Sequence, residues 1–170
     1  MLALLLAIAV TALDQWSKQW VRESLPFAES RPVLAGFLNL THLRNSGAAW
    51  GMLGGQNAPL VLLSIVMLSL LVIFRRSFLS PTRSHRIALG LLVGGIVGNM
   101  LDRIRLAYVT DFIDVHVGIH HWPAFNVADS AICVGVSVYV VSTWIADRRA
   151  RRTAAAPDGG TAPTGGPAAA

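Results

Sequence analysis

Carboxylates and an amide lie close together at two places in the second half of the chain. Asp111 and Asp114 lie in the segment YVTDFIDVH, and Asn126 and Asp129 lie three residues apart in FNVADS. If FNVADS begins a helix, the side chains of Asn126 and Asp129 can point the same way. Two carboxyl groups that share a site repel each other, so one can stay ionised while the other keeps its proton. Such a pair can activate water as a base and protonate a leaving amide nitrogen as an acid.

Two further polar groups precede these segments. Asp14 and Lys18 are four residues apart, so on a helix they share a face and can form an ion pair. That pair can equally be an interfacial one that lets a helix end tolerate charge. Asn99, Asp102 and Arg103 follow a glycine-rich stretch in GGIVGNMLDR, where the glycines favour close helix packing.

Other chemistries fit the sequence less well. His116, His120 and His121 remain a weak metal-binding alternative, because the spacing of zinc peptidase motifs such as HExxH does not occur. A serine–lysine dyad that uses Lys18 is disfavoured, because Asp14 at helical spacing would keep the lysine charged and therefore a poor base. The sequence therefore predicts neither a metal nor a cofactor.

The composition is that of a membrane protein. Of the 170 residues, 54% are hydrophobic and 14% are charged, and the mean hydropathy is +0.55, whereas soluble domains carry about 25% charged residues. A helix needs about 20 residues to cross a bilayer. Four uncharged runs are slightly shorter than this, and each reaches the required length only if a polar residue at one end is included. These runs span residues 1–13, 58–74, 87–101 and 130–146. The predicted fold is an all-α membrane protein with four transmembrane helices.

The basic residues predict the orientation of these helices. Eight of the fourteen Lys and Arg residues lie between the second and third runs or after the fourth. By the positive-inside rule both termini are cytoplasmic, and the loops at about 21–57 and 102–125 face outward. The sequence pI of 10.7 then reflects orientation rather than binding of a nucleic acid. The polar residues of spans one, three and four all fall at the outer membrane face.

The remaining segments predict a domain, a tail and a small sheet. Residues 1–150 form one membrane domain, and 151–170 form a disordered cytoplasmic tail rich in Ala, Pro and Gly. The first outer loop contains short apolar stretches broken by Pro and Gly, which favour a small extracytoplasmic β element. If residues 109–116 are extended, Asp111 and Asp114 face opposite sides.

Five motifs in order resemble those of the lipoprotein signal peptidases, or signal peptidase II, which are integral-membrane aspartic peptidases. They are DQWSK at 14–18, RNSGAAWG at 44–51, GGIVGNMLDR at 94–103, VTDFIDVH at 109–116 and FNVADS at 125–130. The resemblance covers about residues 10–147 and leaves only the tail outside.

The resemblance implies a site and a substrate. It places the catalytic pair at Asp111 and Asp129. Substrate-binding or supporting positions fall on Asn45, Asn99, Arg103, Asn126, Asp14 and Lys18. The implied enzyme is a monomer in the bacterial cytoplasmic (inner) membrane, in contact with membrane lipid. At the outer face it cuts diacylglyceryl-modified prolipoproteins just before the lipid-bearing Cys.

Two other classes of protein share some of these features. A small four-span transporter or channel subunit also carries ionisable residues in its spans. Such a protein is expected to distribute them through the membrane depth, often at broken midplane helices, whereas here they cluster at one face. A four-span scaffold would explain the glycines but would leave the carboxylates without a role. The sequence favours the peptidase.

Overall fold

The computed structural model describes residues 1–47, 54–74 and 82–154. Within these residues the elements are, in chain order, α1 (Leu2–Ser24), β1 (Ser30–Leu34), β2 (Leu38–Asn45), α2 (Asn57–Ile73), α3 (Arg83–Leu106), β3 (Val109–Val117), β4 (His120–His121) and α4 (Val127–Ala154). The predicted class, mostly helical with a small β element, is confirmed. The final helix includes residues 151–154, which the sequence assigned to the tail, and the rest of that tail lies outside the described residues.

The helices differ in how well they suit a membrane. Among the described residues, α3 and α4 are long and apolar enough to cross a bilayer, whereas α2 is apolar but has only 17 residues. The first uncharged run ends before Asp14, yet α1 continues through Asp14, Lys18 and Arg22 to Ser24. The uncharged runs therefore underestimate helix length, because the charged residues at their ends remain helical.

The third helix is the centre of the bundle. It packs against α1, α2 and α4, and glycines allow this close approach. A Cβ atom on Gly95 would lie 2.5 Å from the backbone oxygen of Ala128 in α4, and one on Gly94 would lie 2.8 Å from the backbone oxygen of Ala7 in α1. Only glycine allows both neighbouring helices to approach α3 so closely, so α1 and α4 pack directly against its backbone.

The four strands form one antiparallel sheet in the order β1-β2-β3-β4. In the pairing of β2 with β3, Leu43 is opposite Asp111 and Asn45 is opposite Val109. Asn45 and Asp111 are thus diagonal neighbours, which share a face of the sheet. Phe125, just before α4, bridges to Ile113 of β3. The sheet therefore brings β2, β3 and the start of α4 together.

A buried ionic cluster joins the helices to the sheet. The side chains of Asp14 and Lys18 are fully buried, and the Lys18 Nζ lies 2.8 Å from Asp14 Oδ2 and 3.2 Å from Asp102 Oδ2. The Asp14 Oδ1 accepts the backbone N–H of Ala128 at 2.9 Å, and the Asp102 Oδ2 accepts that of Thr110 at 3.2 Å. One lysine thus links α1 to α3, while its two carboxylate partners hold the first turn of α4 and the start of β3.

Replacing the buried lysine should strongly destabilise the fold. In Lys18→Met, Asp14 and Asp102 lose their buried counter-charge, so we expect the free energy of unfolding to fall by about 3–5 kcal/mol. The matched control is Arg22→Met, because Arg22 is 19% exposed and its Nη1 lies 3.9 Å from Asp102. It should lose only about 1 kcal/mol. Denaturant unfolding in detergent measures both, and equal losses would contradict the role given to Lys18.

Candidate active site

The start of α4 fixes the position of Asp129. Asn126 precedes the helix, and its Oδ1 accepts the backbone N–H of Asp129 at 3.0 Å. In return, the Asp129 Oδ2 accepts the backbone N–H of Asn126 at 3.3 Å. This reciprocal pair is a capping box, with Asp in the place that Glu or Gln usually occupies. The spacing of Asn126 and Asp129 is therefore both a helix start signal and the means by which one carboxylate is held.

The second carboxylate, Asp111, comes from β3 and is only 3% exposed. Its Oδ1 accepts a hydrogen bond from Asn126 Nδ2 at 2.7 Å, and its Oδ2 accepts one from Asn45 Nδ2 at 3.0 Å. The Asn45 Oδ1 accepts the backbone N–H of Gly47 at 2.9 Å, which fixes the orientation of that amide. The Asn126 side chain thus contacts Asp111 and the backbone of Asp129 at once and sets the two carboxylates beside each other.

The ionic cluster orients a third amide toward the site. The Lys18 Nζ donates to Asn99 Oδ1 at 2.8 Å, and Asn99 Nδ2 donates to Asp129 Oδ1 at 2.7 Å. A lysine ammonium can only donate, so Asn99 must turn its oxygen to Lys18 and its N–H groups to Asp129. Asp14 and Lys18, both predicted site residues, therefore lie behind the carboxylates and do not line the cavity in front of them.

That cavity has a volume of about 470 Å³ and brings together five of the predicted residues. Its polar wall includes Asn45, Asn99, Arg103, Asp111 and Asp129, and its apolar wall includes Trp122, Phe125 and Ile132. The Arg103 guanidinium donates to the backbone oxygens of Gly47 at 3.1 Å and Asn99 at 3.4 Å. The cavity can thus take a peptide with its backbone at the polar wall and apolar groups opposite.

Burial, and after it the nearby negative charge of Asp129, raise the pKa of Asp111 to about 6. The amide donors of Asn45 and Asn126 act in the opposite direction, because they stabilise the ionised form. A carboxyl group with a pKa of about 6 can accept and release a proton near neutral pH. This is the property required of a general acid or base.

Asp114 lies outside this arrangement. Its Oδ2 accepts a hydrogen bond from Asn39 Nδ2 at 3.1 Å, and its Oδ1 lies 2.8 Å from His121 Nδ1. Partial burial acts to raise the pKa of Asp114, but the hydrogen bonds from His121 and Asn39 outweigh it and lower the pKa. Asp111 and Asp114 occupy the same strand, yet only Asp111 lines the cavity.

The histidines near Asp114 do not form a metal site in the described part of the chain. The rings of His116 and His121 stack at 4.8 Å between centroids. No group of three His, Cys, Asp or Glu side chains among the described residues is arranged to hold a metal ion.

The sequence did not identify several residues that support the site. Gln15 Nε2 donates to Asp102 Oδ1 at 3.1 Å, and Arg22 Nη1 donates to Thr110 Oγ1 at 2.9 Å. Gln15, Lys18 and Arg22 recur at spacings of three and four, which places them on one face of α1. That spacing is the signal that could have found them. Part of the motif at 44–51, from residue 48 onward, lies outside the described residues.

Comparisons with known proteins agree with one family. The model of the signal peptidase (SPase) II family matches residues 6–145. A lipoprotein signal peptidase of Syntrophotalea carbinolica is 41% identical over 145 residues, covering 83% of this chain and 89% of the relative. One of Geobacillus kaustophilus is 42% identical over 136 residues, covering 80% and 88%.

A similar solved structure is described as a bacterial membrane enzyme determined by the in meso method at 2.3 Å resolution. It is 34% identical in sequence, with a TM-score of 0.75, and the match covers 84% of this chain and 87% of that one. The family match spans most of the described helices and strands, including every residue of the polar cavity wall. The chain therefore belongs to the signal peptidase II family.

Proposed function

We propose that this chain is a membrane aspartic endopeptidase that removes the signal peptide from diacylglyceryl-modified prolipoproteins, cutting just before the lipid-bearing Cys. One observation carries the chemistry: two carboxylates from different elements, Asp111 and Asp129, are tied together by Asn126 and line one cavity. The substrate class is supported by the relatives, which are named lipoprotein signal peptidases.

In the proposed reaction a water molecule is held between Asp111 and Asp129. The ionised carboxylate takes a proton from this water as it attacks the carbonyl carbon of the residue before the Cys. The protonated carboxyl then supplies the proton that the leaving amide nitrogen requires. One carboxyl gains a proton from water and the other gives its proton to nitrogen, so the pair, which titrates as a unit, still holds a single proton at the end of the reaction. This chemistry requires neither a metal nor a cofactor.

Arg103 is the proposed source of positive charge at the reacting carbonyl. Its guanidinium lines the cavity and is anchored to the backbone oxygens of Gly47 and Asn99. A fixed cation in a partly dry cavity stabilises the oxyanion of a tetrahedral intermediate more than it stabilises the neutral carbonyl. Asn45, Asn99 and Asn126 already donate to the carboxylates, so we assign them to positioning.

We further propose four membrane spans, with both termini in the cytoplasm and the active site at the outer face of the bacterial cytoplasmic membrane. The support is that basic residues outnumber carboxylates at one end of α3 and α4, whereas at the other end Asp102 and Asp129 balance Arg103 and Arg105. Asp102 is near the end of α3, which begins at Arg83, and Asp129 is near the start of α4, which carries Arg148 and Arg151 near its end.

This orientation also bears on the alternative function and on the oligomeric state. The buried carboxylates and Lys18 gather at one end of the helices, which favours a surface-level peptidase over a transporter or channel subunit. The described residues of the proposed site come from one chain, so we propose that a monomer in contact with membrane lipid is active.

Substitution of the carboxylates should abolish cleavage selectively. We expect Asp111→Asn and Asp129→Asn each to lower kcat by a factor on the order of 10²–10⁴ or more, since each loses a proton-transfer group. Asp114→Asn is the matched control from the same strand and should stay within about threefold of the wild type. The assay is cleavage of a diacylglyceryl-modified prolipoprotein by purified, folded protein. Retained activity in either of the first two variants would refute the assignment.

The pKa of Asp111 should respond to its neighbours in opposite directions. Asp129→Asn removes a negative charge, so the pKa of Asp111 should fall below about 6 but stay above the ordinary value of 3.8, because burial remains. Asn45→Leu removes a donor to the ionised form, so the pKa should rise. The carboxyl ¹³C shift of Asp111 during a pH titration measures both. An unchanged pKa in Asp129→Asn would mean that the carboxyls do not share a site.

Labelling of introduced cysteines tests the membrane orientation. In a Cys133→Ala background, Ser30→Cys lies on the exposed first strand and Thr153→Cys near the exposed end of α4. A membrane-impermeant thiol reagent applied to intact cells should label position 30, while position 153 should react only after the cells are lysed. The reverse pattern would place the active site in the cytoplasm.

A further inference from the structure

An apolar groove of about 440 Å³ lies between α1 and α3. Leu4 and Ile8 of α1 line it together with Val93 and Val97 of α3, and Gln15 of α1 lies at one end. None of its lining residues is charged. From Leu4 to Gln15 the helix rises about 16 Å. This α1–α3 groove therefore has the length and the apolar character that suit an extended hydrocarbon chain.

The end of the groove at Gln15 leads to Arg22. These two residues are seven apart in α1, a spacing that returns a helix to nearly the same side. Their side chains also approach the same atom, Asp102 Oδ1, which lies 3.1 Å from Gln15 Nε2 and 3.9 Å from Arg22 Nη1. The apolar groove thus ends beside a guanidinium group.

A second arginine approaches this place from the sheet. The Arg22 Nη1 donates to Thr110 Oγ1 at 2.9 Å, and Thr110 is the cross-strand partner of Arg44 in the pairing of β2 with β3. Such partners share a face of the sheet. Asn45 and Asp111 directly follow them in their strands and so point to the opposite face. Arg44 therefore points away from the active-site cavity.

Two aromatic rings hold the guanidinium of Arg44 in place. Its Cζ lies 4.6 Å from the centre of the Phe27 ring and 5.0 Å from that of the Tyr108 ring. Contact with ring faces attracts the cation and leaves the N–H groups at its edge able to donate. Within residues 1–47, 54–74 and 82–154, no carboxylate or hydrogen-bond acceptor contacts this guanidinium.

The charges around Arg44 indicate what it can bind. In the ionic cluster, Lys18 and Arg22 offset the two carboxylates, Asp14 and Asp102. Arg44 therefore adds one uncompensated positive charge to this group of residues. A phosphodiester carries one negative charge, and its oxygens accept paired N–H groups from arginine. The charge and the donors both match a phosphodiester.

Exposed tryptophans indicate the depth of the two arginines in the membrane. Trp16 and Trp20 are exposed on the surface of α1, and Arg22 lies two residues beyond Trp20. Indole rings on the surface of a transmembrane segment favour the level of the lipid head groups. The phosphate groups at that level belong to membrane lipids.

We propose that one phospholipid binds along α1, with its phosphate on Arg22 and Arg44 and an acyl chain in the α1–α3 groove. The groove and the cationic pair adjoin at Asp102, so one molecule with an anionic head and an apolar chain fits both. A free anion would leave the groove without a role. This site is separate from the cavity of Asp111 and Asp129 and goes beyond the proposed peptidase activity.

Labelling of arginines tests the phosphate contact residue by residue. Phenylglyoxal is a neutral reagent that modifies exposed guanidinium groups, and mass spectrometry of peptides reads each arginine separately. The full chain is compared in vesicles of a neutral glycolipid with and without phosphatidylglycerol. Phosphatidylglycerol should slow the labelling of Arg44 about tenfold, which corresponds to about 1.4 kcal/mol. It should leave Arg31, which pairs with Glu29, unchanged. Equal labelling of Arg44 in both vesicles would overturn the proposal.

Inorganic phosphate distinguishes a lipid site from a general anion site. Added to the glycolipid vesicles, it should protect Arg44 far less than phosphatidylglycerol does. Equal protection would show that the arginines bind free anions, and it would overturn the assignment to a lipid.

Loss of the second arginine should weaken the same site. In Arg22→Gln, the fraction of phosphatidylglycerol that halves the labelling of Arg44 should rise about tenfold, because one charge-assisted contact is lost. The matched control is Arg31→Gln, which removes the same charge from β1 and should leave that fraction unchanged. Equal rises would indicate a general attraction to anionic vesicles and would overturn the two-arginine site.

Filling the groove tests the acyl chain independently of the arginines. Ala12 lines the groove, whereas Leu13 is exposed and does not. Ala12→Phe should raise the fraction of phosphatidylglycerol needed to protect Arg44, and Leu13→Phe should not. An unchanged fraction in Ala12→Phe would overturn the proposal that the chain of the lipid lies in the groove.

Discussion

The buried ammonium of Lys18 is the interaction on which the rest of the site depends. It contacts Asp14 and Asp102 and donates to Asn99, so it joins α1 to α3. Burying such charges is costly unless each is paired and its remaining hydrogen-bonding capacity is used. Backbone N–H groups of Ala128 and Thr110 complete the two carboxylates. The cluster therefore forms fully only when α4 and β3 are also in place.

Because the ionic cluster around Lys18 forms only when the helices and the sheet are packed together, folding also pre-organises the active site. Because Lys18 sets the orientation of Asn99, an N–H group points at Asp129 before any substrate arrives. The capping box of α4 holds the same carboxylate through its other oxygen, and the Asn126 side chain also donates a hydrogen bond to Asp111. Fixed amide donors offset part of the repulsion between the two neighbouring carboxylates. The repulsion that remains contributes to the raised pKa of Asp111, which suits it to proton transfer.

Much of the site could be predicted from the sequence, because its chemistry is carried by short local motifs. Asn126 and Asp129 have the spacing of a helix start, and Asp14 and Lys18 have the spacing of neighbours on one helix face. The proximity of the side chains within each pair could therefore be predicted from their positions in the sequence. The distinction between Asp111 and Asp114 came from family resemblance, and strand alternation explains why only one faces the cavity.

Other features depend on contacts between distant segments. Asp102 stood out in the sequence beside Asn99 and Arg103, yet its role follows from the way β3 packs against α1 and presents the N–H of Thr110. Local sequence patterns do not predict such a contact between distant segments. The same holds for helix length. The helix α1 continues past Asp14 because its charged side chains have buried partners on other elements, and a run of apolar residues does not predict such partners.

The catalytic role of Asp111 and Asp129 is tested most directly by a structure of the protein bound to a peptide in which a secondary alcohol replaces the scissile amide carbonyl. Such an alcohol mimics the tetrahedral intermediate. We expect its hydroxyl to lie within hydrogen-bond distance of both Asp111 and Asp129, with Arg103 beside it. A hydroxyl bound away from either carboxylate, or one that contacts Asp114 or a histidine instead, would show that Asp111 and Asp129 are not the catalytic pair.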